Sequence, residues 1–151
     1  AVDPWFIVSG VPDEAKLIRQ AREVNDAKPA WVVAKVNQAL SDYLVRNPNI
    51  TASNVIVACY GLAFKPNIDD MRESPALSIA MTLAERLPAK VIAVEPHIEQ
   101  ESGSYRNLRL TTAEDALRTA NIHLVLVKHS AFSGLDFPAS ETIDVVGITP
   151  R

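Results

Sequence analysis

Two periodicities divide this chain. From Pro12 to about Arg46 apolar residues recur at helical spacing, and no strand-like run interrupts them. Pro12-Asp13-Glu14 suits a first helical turn, where a missing N–H costs nothing and acidic groups meet the positive end of the dipole. Leu17, Ile18, Ala21 and Val24 follow on one side. Asn25-Asp26 ahead of Pro29 predicts a break, with Pro29 opening a second helix that carries Val32, Val33, Val36, Ala39, Leu40, Tyr43 and Leu44. Asn47-Pro48-Asn49 ends it. A stripe this long needs a partner surface: its own domain, a second subunit or another domain.

From Asn54 onward strands and helices alternate. Val55–Tyr60 is a continuous apolar run, as expected of a strand covered on both faces. Ser74-Pro75 predicts a helix start, a capping hydroxyl followed by proline at the first helical position, and Pro88 stops that helix. Val91–Val94, Leu108–Leu110, Ile122–Val127 and Ile143–Val146 read as further strands. Thr112-Ala113-Glu114-Asp115 resembles a capping box that opens a helix to about Ala120. The alternation predicts an α/β fold, a Rossmann-like three-layer sandwich with a mainly parallel sheet. The division expected is a helical segment over residues 1–50 and a sheet domain over 51–151.

Composition narrows the function classes. The 151 residues are 48% apolar and 22% charged, ordinary for a globular chain. Fifteen basic against 18 acidic side chains leave a net charge of −3, which offers no footprint for nucleic acid or an anionic membrane. A single cysteine excludes an internal disulfide. No apolar run approaches the ~18–20 residues that cross a bilayer, and Ala1–Phe6 has no signal-peptide pattern. These features point to a cytoplasmic protein. The chain begins without methionine, directly on an apolar-aromatic stretch, and reads as a piece of something longer.

In an open parallel sheet, ligands bind beyond the carboxyl ends of the strands. The segment Gly61–Glu73, after the first strand, is long for a strand-to-helix connection, and long loops are often functional. It places Lys65 and Arg72 just ahead of a helix N-terminus, a combination suited to a phosphate or carboxylate. The alternative is a solvated loop in which Asp69 and Asp70 pair with those cations. Neither G-x-G-x-x-G nor a Walker lysine motif occurs, so the chain alone builds no complete NAD or ATP site.

Gly61-Leu62-Ala63-Phe64-Lys65-Pro66, continued by Asp69-Asp70-Met71-Arg72-Glu73-Ser74-Pro75-Ala76, resembles the signature of the C-terminal, UDP-binding domain of the nucleotide-sugar 6-dehydrogenases, the UDP-glucose/GDP-mannose dehydrogenase family. Ala1–Ile7 and Arg22–Asp26 with Pro29 resemble the branch of that family acting on UDP-N-acetyl-D-mannosamine. The resemblance implies an enzyme that uses NAD twice to oxidise the C6 alcohol of a UDP-sugar to a carboxylate through a cysteine-bound intermediate. It also implies a homodimer formed through the helical segment. The cofactor domain and the nucleophile are then expected ahead of Ala1, and this portion is expected to be inactive alone. By resemblance Asp3 is the acid that helps activate water for thioester hydrolysis, Phe64 and Lys65 contact the UDP-sugar, and Arg72 reaches the NAD phosphates. The family often has a basic residue after an Asp in the last strand. Here Asp144 is followed by Val145 and Val146, so that contact is lost or supplied elsewhere.

Other residues have plainer readings. Cys59, inside the first strand, reads as an inert core thiol rather than a nucleophile. His97, His123 and His129 have no metal-ligand spacing, and no metal is assigned; His129, after a strand end, is expected at the surface, with a place bordering the pocket as the alternative. Trp5 and Phe6 are expected in core or interdomain packing, with site lining as the alternative. Besides the dehydrogenase reading stand a non-catalytic UDP-sugar-binding or dimerising module, and dehydrogenases for UDP-N-acetyl-glucosamine or UDP-glucose.

Overall fold

The computed structural model describes residues 3–98, 103–106 and 108–149. Its centre is a six-stranded sheet made of β1 (Ile56–Tyr60), β2 (Lys90–Val94), β3 (Gly103–Tyr105), β4 (Leu108–Leu110), β5 (Ile122–Val125) and β6 (Thr142–Asp144). The order is β3-β4-β2-β1-β5-β6. All pairings are parallel except that of β3, which joins the edge antiparallel to β4. The Rossmann-like expectation is met, with one short antiparallel edge strand that the sequence pattern does not reveal.

Four α-helices lie among the described residues: α1 (Asp3–Gly10), α2 (Lys16–Arg46), α3 (Pro75–Arg86) and α4 (Ala113–Thr119). Strand alternation assigns each face its layer. Val57 and Cys59 belong to the core cluster that contains Val32, Val36 and Leu40 of α2 and Leu77, Ala80 and Leu83 of α3. Ala58 and Tyr60 belong to the opposite cluster, with Ala116 of α4, Phe132 and Phe137. Both faces of β1 are therefore dry, which explains its unbroken apolar run.

Local chemistry explains the helix starts. Ser74 Oγ accepts the Leu77 N–H at 3.3 Å with Pro75 at the first helical position. Thr112 Oγ1 accepts the Asp115 N–H at 3.1 Å, but the Asp115 carboxylate turns to Arg118, so the capping box is half made.

The helical third differs from expectation. Pro12 lies in a turn between α1 and α2 instead of opening a helix. Pro29 lies inside α2, which runs unbroken from Lys16 to Arg46. Asp26 does not end a helix but accepts from Arg22 one turn earlier. Pro29 forfeits a single backbone hydrogen bond, while Val32, Val36 and Leu40 are buried on the following turns and hold the helix against the domain. That burial answers part of the partner question: the C-terminal half of the stripe packs on its own domain. Leu17, Val24 and Trp31 on α2 and Phe6, Ile7 and Val11 on and beside α1 stay exposed, so Phe6 is not a core residue.

Two strands end earlier than their apolar runs. After Val125 the N–H groups of Leu126 and Val127 both turn to the Tyr60 carbonyl, at 2.9 and 3.2 Å, folding the end of β5 over that of β1. After Asp144 its own carboxylate accepts the N–H groups of Val146, Gly147, Ile148 and Thr149, which closes the chain into a turn. Lys128 brings a cation to that turn, donating to the Gly147 carbonyl at 2.8 Å.

Proline inside a helix is about 3 kcal/mol less favourable than alanine, offset by roughly 1 kcal/mol of chain entropy that alanine restores to the unfolded state. Pro29→Ala is expected to stabilise the protein by about 2 kcal/mol in denaturant unfolding; a destabilised variant would contradict the continuous helix.

Candidate functional site

The chain runs outward from β1 through β2 to β4 and returns to the other side of β1 at β5. This reversal opens a crevice at the carboxyl ends of β1 and β5, where open α/β sheets bind ligands. The Gly61–Glu73 loop leaves β1 at this point and the Val127–Phe132 segment leaves β5 there.

The two segments meet without a gap. Gly61 has φ +87° and donates to the Val94 carbonyl at 2.8 Å; a Cβ built on it meets the Cβ of Val127 at 2.5 Å. Only glycine fits both the left-handed backbone and that contact. Farther along, Asn67 at φ 60° accepts through Oδ1 from the N–H and hydroxyl of Ser130, at 2.8 and 2.9 Å. The loop also closes on itself, Phe64 N–H to the Asp70 carbonyl at 2.8 Å.

A buried polar pair lies beneath. Glu95, directly after β2, is 2% exposed and His129 is wholly buried. Glu95 Oε2 accepts the N–H groups of Leu62 and Ala63 at 2.6 and 3.0 Å, and Oε1 accepts that of His97 at 3.0 Å. His129 Nδ1 accepts the Asn67 N–H at 2.9 Å. That bond puts the ring proton on Nε2, which faces Glu95 Oε2 at 3.3 Å. Burial pushes the Glu95 carboxyl upward, but the nearby His129 ring, whose Nε2 makes no hydrogen bond of good geometry, and the N–H groups of Leu62 and His97 outweigh it and hold it below its usual value. His129 is thus not a surface residue. Its surroundings come from segments far away in sequence, and no local pattern foretells them.

The expected site residues divide. Phe64 and Lys65 are exposed on the loop, and Lys65 has no ion-pair partner among the described residues. Lys65 Nζ stands 5.8 Å from the centre of the Phe64 ring. Arg72 shares the loop, but its Nε and Nη2 are engaged by Asp70 at 2.9 and 2.8 Å. Those bonds draw the Asp70 carboxyl down to about 2. The solvated-loop alternative therefore holds for Arg72 and Asp70, and Lys65 remains the open cation. Phe64 also lines a groove of about 600 Å³ between α2 and α3, with Arg22, Asn25, Ser74 and Ser78 among its other walls. Asp3 opens α1, and its side chain lies outside the described residues.

The remaining candidates are settled by burial. Cys59 is fully buried, which pushes its thiol up to about 12, far from thiolate chemistry at neutral pH. His123 lies buried 2.8 Å from the Tyr60 hydroxyl, its basicity lowered by desolvation. No set of side chains able to hold a metal occurs among the described residues. The glycine fingerprint of a NAD site does not occur in this chain, and Arg72 is paired with Asp70 on the exposed face of the loop.

Residues 58–146 match the profile of the UDP-glucose/GDP-mannose dehydrogenase family, UDP binding domain. The chain belongs to that family. Among curated family members it is 49% identical over 133 residues to the UDP-N-acetyl-D-mannosamine dehydrogenase of Escherichia coli (strain K12), covering 87% of this chain and 31% of that protein. It is 47% identical over 136 residues to the NDP-N-acetyl-D-galactosaminuronic acid dehydrogenase of Ralstonia solanacearum, covering 90% of this chain and 30% of that one. Among solved structures, the UDP-N-acetyl-mannosamine dehydrogenase of Staphylococcus aureus aligns at a TM-score of 0.67 with 33% identity, over 90% of this chain and 29% of its own. The UDP-D-ManNAc dehydrogenase of Pyrococcus horikoshii aligns at 0.73 with 25% identity, over 99% and 34%. The chain thus spans about a third of the length of the family members it matches. No helix among the described residues is long and apolar enough to cross a membrane.

The depressed Glu95 carboxyl has a defined pH signature. A carboxyl whose folded value lies below its unfolded one stabilises the fold above the unfolded value, and that contribution disappears as pH falls through the folded value. Glu95→Gln is expected to destabilise the protein at pH 7 and to differ less from wild type near pH 3, read by denaturant unfolding at both pH values. An equal difference at the two would remove Glu95 from the acid response.

Proposed function

We propose that this chain is the UDP-sugar-binding and dimerising portion of a NAD-dependent UDP-N-acetyl-D-mannosamine 6-dehydrogenase. The observation that carries the reading is the open cation at the switch point. Lys65 is solvent-exposed and without an ion-pair partner among the described residues, it is adjacent to the exposed Phe64 ring, and both stand on a loop whose ends are fixed. A flexible ammonium of this kind neutralises a diphosphate as a point charge, and an aromatic face beside it gives a base or sugar a surface to rest on. The 49% identity with the E. coli enzyme supports N-acetylmannosamine as the sugar, and the Ralstonia relative supports an N-acetylated hexosamine more broadly.

In this reading the oxidation belongs to the whole enzyme. Asp3 is assigned the acid that helps water attack the thioester, and Arg72 a contact to the NAD phosphates once it exchanges Asp70 for them. The exposed apolar residues Phe6, Ile7, Leu17 and Val24 are assigned to the dimer interface.

Removing a charged hydrogen-bond donor costs about 1.5–3 kcal/mol, roughly ten-fold or more in affinity. Calorimetric titration with UDP is expected to give that loss for Lys65→Ala; equal affinities would take Lys65 out of the site. Sedimentation is expected to find a dimer that Leu17→Glu with Val24→Glu converts to monomer. A strict monomer in the unsubstituted protein would refute the dimer assignment.

A further inference from the structure

The Glu95–His129 pair is almost wholly buried, with Glu95 only bordering a small pocket of about 130 Å³ beside Thr111, Thr112 and Phe132, so its use is sought in what it holds. It holds the loop on both sides of the exposed residues. Glu95 Oε2 fixes the N–H groups of Leu62 and Ala63, the residues just before Phe64. His129 Nδ1 fixes the N–H of Asn67, shortly after Lys65. The two anchors face one another, His129 Nε2 to Glu95 Oε2 at 3.3 Å, so one carboxylate–imidazole unit spans the base of the loop. Asn67 stands at φ 60°, a left-handed conformation that asparagine adopts more readily than other residues with a side chain, and its Oδ1 ties it again to Ser130. Phe64 and Lys65 lie between these fixed points and have no other anchor beyond the Phe64 N–H bond to Asp70.

We infer that Glu95 and His129 are positioning residues for ligand binding, acting through the Leu62, Ala63 and Asn67 amides to hold Phe64 and Lys65 where a nucleoside diphosphate meets them. The inference rests on the UDP-binding reading above. A loop fixed beforehand spares the ligand the entropic cost of ordering its mobile side chains on binding. Loss of the unit therefore lowers affinity without removing any atom that touches the ligand. Packing alone predicts something different: a folded variant that binds as wild type does.

The test is a double-substitution cycle on UDP affinity, combining His129→Leu with Lys65→Ala. His129→Leu is expected to weaken UDP about ten-fold in a protein that still unfolds cooperatively. His129→Gln, which can accept from Asn67 and donate to Glu95, is expected to recover most of that loss. In the Lys65→Ala background His129→Leu is expected to cost less than about two-fold, because the residue it positions is gone. Should His129→Leu not fold, Glu95→Gln serves in its place. The neutral amide keeps the shape of the side chain but weakens its hold on the Leu62 and Ala63 amides; a several-fold loss, again absent beside Lys65→Ala, is expected. Wild-type affinity in a folded His129→Leu or Glu95→Gln variant, or equal losses with and without Lys65, would overturn the positioning role and leave the UDP reading standing. Failure of the unsubstituted protein to bind UDP would overturn both.

Discussion

One buried carboxylate organises the functional end of this molecule. An ion taken out of water costs several kcal/mol unless its lone pairs are met, and Glu95 meets that condition by collecting three backbone N–H groups and facing an imidazole. The collection is possible only where the chain leaves the ends of β2, β1 and β5 together. The carboxylate therefore does for three loops what a hydrophobic core does for helices: it sets their mutual distances. Losing one partner leaves the charge less well met, which ties the three loops to one another.

The sheet explains why that junction is the useful one. β1 is central, with β2 on one side and β5 on the other, and the chain changes direction between them. The dry faces of β1 fix the strand, α3 begins at a firmly capped Ser74, and the long loop between them has both ends nailed down. The side chains that project from its middle can then be polar and exposed without being adrift. The helical third plays another part: half of α2 is welded to the core, and the other half, with α1, carries apolar side chains into solvent.

What the sequence made legible follows the range of each interaction. Ser74-Pro75 and Thr112 announced their helices because caps act within a single turn. β1 announced itself because burial on both faces leaves a run of apolar residues. Pro29 misled because a local rule was overridden by packing further along the same helix, at Val32, Val36 and Leu40. β3 went unseen, since three residues including a glycine carry too little alternation to read. The proposed ligand contacts Phe64 and Lys65 rest on motif resemblance. Glu95 and His129 were missed because their partners lie 30 to 60 positions away in the chain. The one available hint was a charged residue placed directly at the end of an apolar strand, between Val94 and Pro96.

The contact between Gly61 and Val127 has a consequence for how such a site can diversify. With the two backbones already touching, neither segment can gain or shift a residue near the crevice unless the other yields. A loop transplanted from a relative with a different sugar preference would have to bring its own counterpart after β5. In this chain the two segments are shaped as a unit, like the halves of a hinge machined together.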